Sequence, residues 1–517
     1  MFPWNGLIKK HVAQRAYHEA LQTLTLMHRT DICLLDHFTF PIALKACTNI
    51  QAWKQGRQLH GLILRLGFDW DVYTSNALLS MYSGCGQIRV AIQLFDAMPQ
   101  RNTVSWNSIM AGCIRNDLAH ESLSYFSKMI VKPKSSFSVS SLASEEPDTI
   151  TMCTVLHAHA HLGPTGFPSA KAVHGYIIRR GFQIENEKPA PAAMRTEPFV
   201  ENALIHTYLE ASCLAYAQKV FQEMQPEKRD VVTWTTMISG YLHHKLENLA
   251  LATFMSMLQQ QQQVREGNVY VDAVTLATVI PALGSLRQGK QIHCLAVKNG
   301  YDQLNVFVAT SLIHVYAEFG TIEYADKLFQ RVKDRNVVAW TAIITAYAKH
   351  GQGEDSVRLF NEMRRQGVTP NHLTFMGVLT ACNHAGLVDQ AQECFRCMTQ
   401  DYGLIPEMHH YAAMVDVLGR AGRLREALEF IKAMPVDASS PVWGSLLASC
   451  GYHEDVELAH EVAKILLSME PDNPANLVLL SNMLAQKERW SDASEVRETM
   501  KRLGLRKVPG QSSIPVH

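Results

Sequence analysis

An all-α, right-handed α-solenoid of about twelve helix hairpins, followed by two more hairpin-like motifs, is the fold class that this 517-residue chain predicts. Two observations predict it. Tryptophan-bearing segments of one pattern recur along the chain, and the stretches between them divide into units with two apolar stripes of helical period. A hairpin of this kind cannot bury its apolar faces alone. Stacked neighbours can, and they then share a continuous core.

The tryptophan segments read MFPWNGLIKK (1–10), TVSWNSIMAG (103–112), VVTWTTMISG (231–240) and VVAWTAIITA (337–346), and a related one carries Trp443. They start at residues 1, 103, 231, 337 and 440, so the spacings are 102, 128, 106 and 103. Each of the first three intervals holds two further units. The first of these contains GRQLHGLILRLGF (56–68), AKAVHGYIIRRGF (170–182) or GKQIHCLAVKNGY (289–301). The second contains NALLSMY (76–82), NALIHTY (202–208) or TSLIHVY (310–316). The period is therefore a triplet.

Within residues 337–371, Ala339, Ile343, Ala346 and Tyr347 make one helical stripe, and Val357, Leu359, Phe360 and Met363 a second. HGQGED (350–355) separates them, and Gly367 and Pro370 close the unit. The tryptophans and the pairs Leu94-Phe95, Leu328-Phe329 and Leu359-Phe360 are the expected inter-unit core. A small polar residue follows each tryptophan: Asn5, Asn107, Thr235 and Thr341. Packing does not explain that recurrence.

Composition sets limits. The chain is 47% hydrophobic and 19% charged with a formal net charge of +0, which argues against a bulk basic footprint for nucleic acid. No apolar run approaches the length of a transmembrane helix. Eleven cysteines without framework spacing suit a reducing compartment. The repeat signature begins at Trp4 and Asn5 with no signal or transit segment ahead of it, so either the protein has none or this chain lacks its true start.

Catalytic chemistry is not expected. A zinc deaminase needs H-x-E and a later P-C-x-x-C, and no H-x-E occurs among the 23 histidines. The one C-x-x-C, Cys394 and Cys397, has no second pair and reads as two core thiols. His60, His174 and His293 recur once per triplet, a regularity of packing or capping. No glycine-rich phosphate loop precedes a helix. The expectation is no catalytic residue, no metal and no cofactor.

Hairpin repeats of this length include the tetratricopeptide type, whose W-x2-L-G-x2-Y signature is missing here. The chain instead resembles the plant pentatricopeptide repeat (PPR) family of the class with alternating P, L and S units and C-terminal E motifs, lacking the DYW deaminase domain. P-like units are 1–36, 103–148, 231–272 and 337–371. L-like units are 37–71, 149–197, 273–305 and 372–407. S-like units are 72–102, 198–230, 306–336 and 408–439. The repeat array thus spans 1–439, the E1 motif 440–473, the E2 motif 474–510 and a tail 511–517.

The resemblance implies one base of single-stranded RNA per unit, read by two or three side chains. The reading pairs would be Asn5 with Asp36, Asn107 with Asp148 and Asn202 with Asp230 (for U), and Asn76 with Asn102 (for a pyrimidine). Thr235 with Asp272 would read G, and Thr310 with Asn336 and Thr341 with Asn371 would read A. The second residues Tyr73, Val104, Phe199, Val232, Phe307 and Val338 would sandwich bases. The L units place Pro41, Cys153, Ala277 and Met376 at the fifth position and should space. The stretch implied, 5′ to 3′, is U-n-Y-U-n-U-G-n-A-A-n-n.

By the same resemblance the chain is a monomeric site-recognition factor for C-to-U RNA editing in a mitochondrion or chloroplast. A DYW-type deaminase or other editing factor would be its protein partner through the E motifs, with no membrane involved. The alternatives are a factor for organellar RNA stability, splicing or translation, or, in another class, a protein-binding scaffold. The stretches 131–147, 185–197 and 259–267 read as surface insertions at unit ends.

Overall fold

The computed structural model describes residues 3–30, 35–131, 146–181, 198–263, 270–301 and 305–505. Among these every regular element is helical, and no strand occurs. The chain divides into two compact units, Met1–Val271 and Asp272–His517. Each is a solenoid-type stack of helix hairpins.

In the first unit the hairpins include Val72–Gly84 with Ile88–Ala97, Thr103–Arg115 with Ala119–Val131, Thr149–His161 with Phe167–Arg180, Phe199–Glu210 with Leu214–Glu223, and Val231–His243 with Glu247–Gln263. In the second they include Val306–Glu318 with Ile322–Arg331, Val337–Lys349 with Gly353–Arg365, His372–Ala385 with Val388–Gln400, and Met408–Arg420 with Leu424–Lys432. Two more follow, Ser440–His453 with Val456–Met469 and Pro474–Gln486 with Trp490–Arg502. Within each compact unit a first helix packs on its own second helix and on the first helix of the next hairpin of that unit, so its first helices form one layer and its second helices another.

The turn inside a hairpin follows from the sequence. After Val337–Lys349 the chain passes through Gly351 at φ 70°, and Gln352 N donates to Tyr347 O at 3.0 Å, closing the helix end. Layers approach closely where the sequence supplies glycine. A Cβ on Gly419 would lie 2.5 Å from Ser449 Cβ across the contact between Met408–Arg420 and Ser440–His453.

The tryptophans are core. Trp106, Trp234 and Trp340 are buried, edge-on to Phe95, Phe221 and Phe329 at 4.9, 4.9 and 4.8 Å. An arginine completes each junction. Arg101, Arg229 and Arg335 lie over those phenylalanines at 4.8, 4.6 and 4.6 Å. They also donate to carbonyls at the end of the second helix, as Arg335 Nε does to Phe329 O at 3.3 Å. Each thereby neutralises a helix C-terminus and fixes the residue that opens the next hairpin. Of the Leu-Phe pairs, Leu328-Phe329 and Leu359-Phe360 are buried, whereas Leu94 is half-buried beside buried Phe95.

The recurring histidines join neighbouring units. The Nδ1 atoms of His60, His174 and His293 bond the hydroxyls of Tyr82, Tyr208 and Tyr316 at 2.9, 2.8 and 2.7 Å. Burial pushes the Tyr208 and Tyr316 hydroxyls up to about 12 and lowers the pKa of His60 and His174.

One feature differs from expectation and a second is irregular. The glutamine run at 259–263 continues the helix Glu247–Gln263 instead of looping out, because glutamine is a good helix former and Gln260 Nε2 reaches Pro226 O at 2.5 Å. The helix Ala273–Val279 is short and passes into a 3-10 turn at Ile280–Ala282, where Pro281 offers no amide proton. Most of the insertions at 131–147 and 185–197, residues 264–267 of the third, and the tail 511–517 lie outside the described residues.

Candidate nucleic-acid interface

In six of the seven sequence-assigned pairs the last residue of the unit is the N-cap of the next unit's first helix, and in the first unit Asp36 lies two residues ahead of the cap Phe38 but bonds the first helical amide. Asp36 Oδ1 accepts from Thr39 N at 2.8 Å, Asn102 from Ser105 N at 2.9 Å, and Asp148, Asp230 and Asp272 from Thr151, Thr233 and Thr275 N at 2.7 Å. Asn371 caps through Thr374 N at 3.0 Å, and Asn336 through Val338 N and Ala339 N, both at 3.1 Å. Short Asp and Asn side chains reach these amides from an extended backbone, which is why the positions are Asp or Asn.

Four sequence-assigned pairs come into direct contact. Asn5 Nδ2 donates to Asp36 Oδ1 at 3.2 Å, Asn107 Nδ2 to Asp148 at 3.1 Å and Asn202 Nδ2 to Asp230 at 3.3 Å. Asn76 Nδ2 donates to Asn102 at the longer distance of 3.4 Å. A third residue, absent from the sequence-derived set, completes three of these groups. The hydroxyls of Thr39, Thr151 and Thr233 lie 2.8, 2.8 and 2.7 Å from the Oδ1 of Asn5, Asn107 and Asn202, and as close to the capping carboxylate. Its signal is legible as [DN]-x-x-[ST], the capping box. Each ring fixes the asparagine's orientation, with the amide on the carboxylate, the carbonyl on the hydroxyl, and spare donor and acceptor capacity on both.

Burial raises the Asp36 carboxyl. Hydrogen bonds from Thr39, Asn5 and the Phe38 amide outweigh it and hold the carboxyl below its usual range. Where asparagine replaces the aspartate the ring is incomplete: Ser105 Oγ turns to Asn102 at 3.0 Å, and Asn76 Oδ1 is buried without a hydrogen-bond partner.

The threonine pairs differ. Thr310 Oγ1 donates to its own helix at Val306 O, 2.6 Å, and Asn336 is exposed with its carbonyl on backbone amides alone. Thr341 bonds Val337 O at 2.8 Å and meets Thr374 Oγ1 at 2.7 Å, which links it to Asn371. Thr235 is half-buried on Val231–His243 in the first unit, and Asp272 caps Ala273–Val279 in the second. Asn5 and Asn202 are half-buried; Asn76 and Asn107 are 8% exposed.

The second residues are all exposed: Tyr73, Val104, Phe199, Val232, Phe307 and Val338. So are the second residues of the L-like units, Phe38, Ile150, Val274 and Leu373, which sequence reading passed over. Exposed apolar side chains at one position of every such unit are not core; they are surfaces on which a flat ring can lie. The fifth residues of these units, Pro41, Cys153, Ala277 and Met376, are half-buried.

Cys394 and Cys397 are buried, and burial pushes the Cys397 thiol up to about 11 and raises that of Cys394 well above its ordinary value. Among the described residues no group of three potential metal ligands occurs, and no helix is long and apolar enough to cross a membrane. Lys501 and Arg502 are exposed at the end of Trp490–Arg502; Arg506 and Lys507 lie outside the described residues.

The PPR repeat profile matches residues 73–103, 104–132, 232–261, 307–337 and 409–437, a second profile of the PPR repeat family matches 335–384, and the E motif profile matches 453–515. A mitochondrial pentatricopeptide repeat-containing protein of Arabidopsis thaliana is 35% identical over 520 residues, covering 99% of this chain and 87% of the relative. The chain belongs to the pentatricopeptide repeat family. A chloroplastic member from the same plant is 34% identical over 520 residues, covering 99% of this chain and 55% of its own length. The crystal structure of the maize PPR protein PPR10 shares the fold, with a TM-score of 0.55 at 15% identity over 98% of this chain and 79% of the maize chain. That maize protein has also been solved in complex with an 18-nucleotide RNA element. With the E motif after its repeats, the chain is of the P-L-S type.

Proposed function

We propose that this protein is a sequence-specific single-stranded RNA-binding factor that selects a site for C-to-U editing in an organellar transcript, and that a deaminase supplied by another protein does the chemistry. One observation carries the binding half. Hydrogen-bonded Asn–Asp pairs recur in three units, at Asn5, Asn107 and Asn202, and in the latter two the second residue, Val104 or Phe199, is an exposed apolar side chain. A base lying on the apolar side chains would present its edge to the oriented amide and carboxylate. Stacking of this kind on an aromatic platform is worth roughly 1–3 kcal/mol per base. The exposed second residues of the L-like units support stacking there too, without discrimination. The RNA-bound maize protein and the family assignment support the same reading.

The editing half rests on the E motif, together with a sequence that has no H-x-E and no P-C-x-x-C. The organellar location rests on relatives named for mitochondrion or chloroplast.

Sequencing of organellar transcripts from plants lacking the protein tests the whole reading. The expected result is loss of one or a few conversions, each at a cytidine shortly 3′ of a stretch resembling U-n-Y-U-n-U-G-n-A-A-n-n. A chain ended at residue 439 should still bind that RNA and fail to restore editing. Unchanged editing with altered transcript abundance or splicing would replace the editing role with an RNA-processing one. Failure to bind single-stranded RNA at moderate salt would favour a protein-binding scaffold.

A further inference from the structure

The first unit contains a cavity of about 780 Å³ on the exposed side of Thr149–His161, lined among others by Ile150, Cys153, His157, His161, Arg115 and Phe199. Two of these, Ile150 and Phe199, belong to the row of exposed second residues. The cavity is therefore continuous with the candidate interface. Further along the helices Thr149–His161 and Phe199–Glu210, three exposed imidazoles meet. The rings of His157 and His161 stack at 5.0 Å, and His206 of the next hairpin stands edge-on to His157 at 6.2 Å.

We propose that His157, His161 and His206, together with Arg115, form a proton-coupled binding site for a backbone phosphate of single-stranded RNA. The inference rests on the RNA-binding reading above and adds a site to it. A proton on His157 is repelled by charge on either neighbouring ring. Burial and the two neighbouring imidazoles hold the His157 pKa below its usual value. An anion in the cavity reverses the balance, because its charge compensates a proton on the cluster.

The charged surroundings leave room for such an anion. From the preceding hairpin the cavity receives Arg115 and Asp117, and from its own helix Cys153. From the next helix come Glu201 and Glu210, and Glu210 Oε1 lies 3.9 Å from His206 Nε2 at the far edge of the trio. The second helices Ala119–Val131 and Phe167–Arg180 pack on the other side, the side of buried His159, whose Nδ1 lies 3.3 Å from Ser169 Oγ. His157 and His161 are both exposed, so neither is committed to the core.

Calorimetric titration of the full chain with single-stranded RNA of the implied sequence tests this, in buffers of different ionisation enthalpy near pH 7. The expected result is net proton uptake on binding, with affinity rising roughly three- to tenfold per pH unit as pH falls from 8 to 6. The double variant His157→Gln, His161→Gln should lose most of that uptake and bind about tenfold more weakly at pH 6 than the parent chain. Arg115→Gln, as a second variant, should lower the salt dependence of binding by about one phosphate contact while keeping the uptake. Binding with no proton uptake, or with the same uptake in the double variant, overturns the site alone. Failure to bind RNA at any pH overturns the RNA-binding reading and the site with it.

Discussion

Thr233→Val removes one hydroxyl from the ring around Asn202 and keeps the side-chain shape. In the structure that hydroxyl lies 2.7 Å from both Asn202 Oδ1 and Asp230 Oδ1, and it accepts from Asp230 N at 3.3 Å in a fully buried position. It has one proton, so one donated bond at a time is lost, to a carboxylate or to an amide carbonyl. A charge-assisted bond of this kind is worth about 1.5–3 kcal/mol. With about 2 kcal/mol lost at the helix start, opening of the first turn of Val231–His243 becomes about 30-fold more frequent, at about 1.4 kcal/mol per tenfold. Hydrogen exchange of the amides in that turn reads this directly. The Asp230 cap itself survives through Thr233 N at 2.7 Å, so the helix stays formed. The second consequence is functional. Asn202 loses the acceptor side of its ring and is free to rotate, so discrimination at its base should fall by a large part of the roughly 1–3 kcal/mol that a good two-bond contact supplies. Base preference at the other units should not move. Thr233→Ser restores the hydroxyl and should restore both readouts. If the serine variant is as impaired as the valine variant, the methyl group and not the hydroxyl does the positioning, and the ring argument fails.

Arg335→Met keeps an apolar stem over the Phe329 and Trp340 rings but removes the guanidinium that donates to Phe329 O and Gln330 O at 3.3 and 3.1 Å. The expected loss is about 2 kcal/mol, two modest bonds plus a cation–π contact, seen as faster exchange at the end of Ile322–Arg331; Arg335→Lys should recover only a small part of it. The first unit should also lose stability in acid. Burial pushes the pKa of His159 down from 6.5 to about 4, so the folded chain keeps this ring neutral where the unfolded chain takes a proton. Its stabilising contribution is complete above about pH 6.5 and disappears as pH falls towards about 4. Denaturation followed across that window should show a slope that His159→Leu flattens, and an unchanged slope would mean that the ring is charged in the fold.

The repeat architecture was legible because each unit restates its pattern. Trp106, Trp234 and Trp340 sit where a period drawn from the sequence puts an inter-unit core, and the two stripes of residues 337–371 become Val337–Lys349 and Gly353–Arg365. What escaped had physical causes. The glutamine run read as part of a surface insertion at a unit end, but helix propensity carries it on from Glu247. The exposed second residues of the L-like units went unremarked because their fifth residues offer no polar edge. The ring threonines were hidden by their neighbours: Thr233 stands between Val232, assigned to stacking, and Trp234, assigned to the core, and Thr151 lies in an L-like unit read as a spacer.

On the proposed reading, the ring also accounts for the residues found in each pair. The last position of a unit must cap the next helix, which calls for a short acceptor, and it must face the fifth residue of its own unit. Aspartate meets both needs in the groups at Asn5, Asn107 and Asn202, where a single carboxylate oxygen takes the cap amide, the threonine hydroxyl and the asparagine amide. Asparagine at 102 can accept the cap amide but offers no charge to draw in Asn76, and that bond lengthens to 3.4 Å. At Thr310 and Asn336 the third residue is Ala339, no hydroxyl bridges the pair, and Thr310 turns to its own backbone. On the RNA-binding reading proposed above, a unit's selectivity would depend on three side chains from two hairpins. Exchanging the fifth residue alone, as in Thr310→Asn, leaves Ala339 unable to close the ring, whereas Thr310→Asn with Asn336→Asp and Ala339→Thr recreates the group seen at Asn202. The single exchange should therefore shift base preference at that unit only weakly, and the triple exchange should carry it fully to that of the Asn–Asp units. Equal shifts from both would show that the ring contributes nothing to reading.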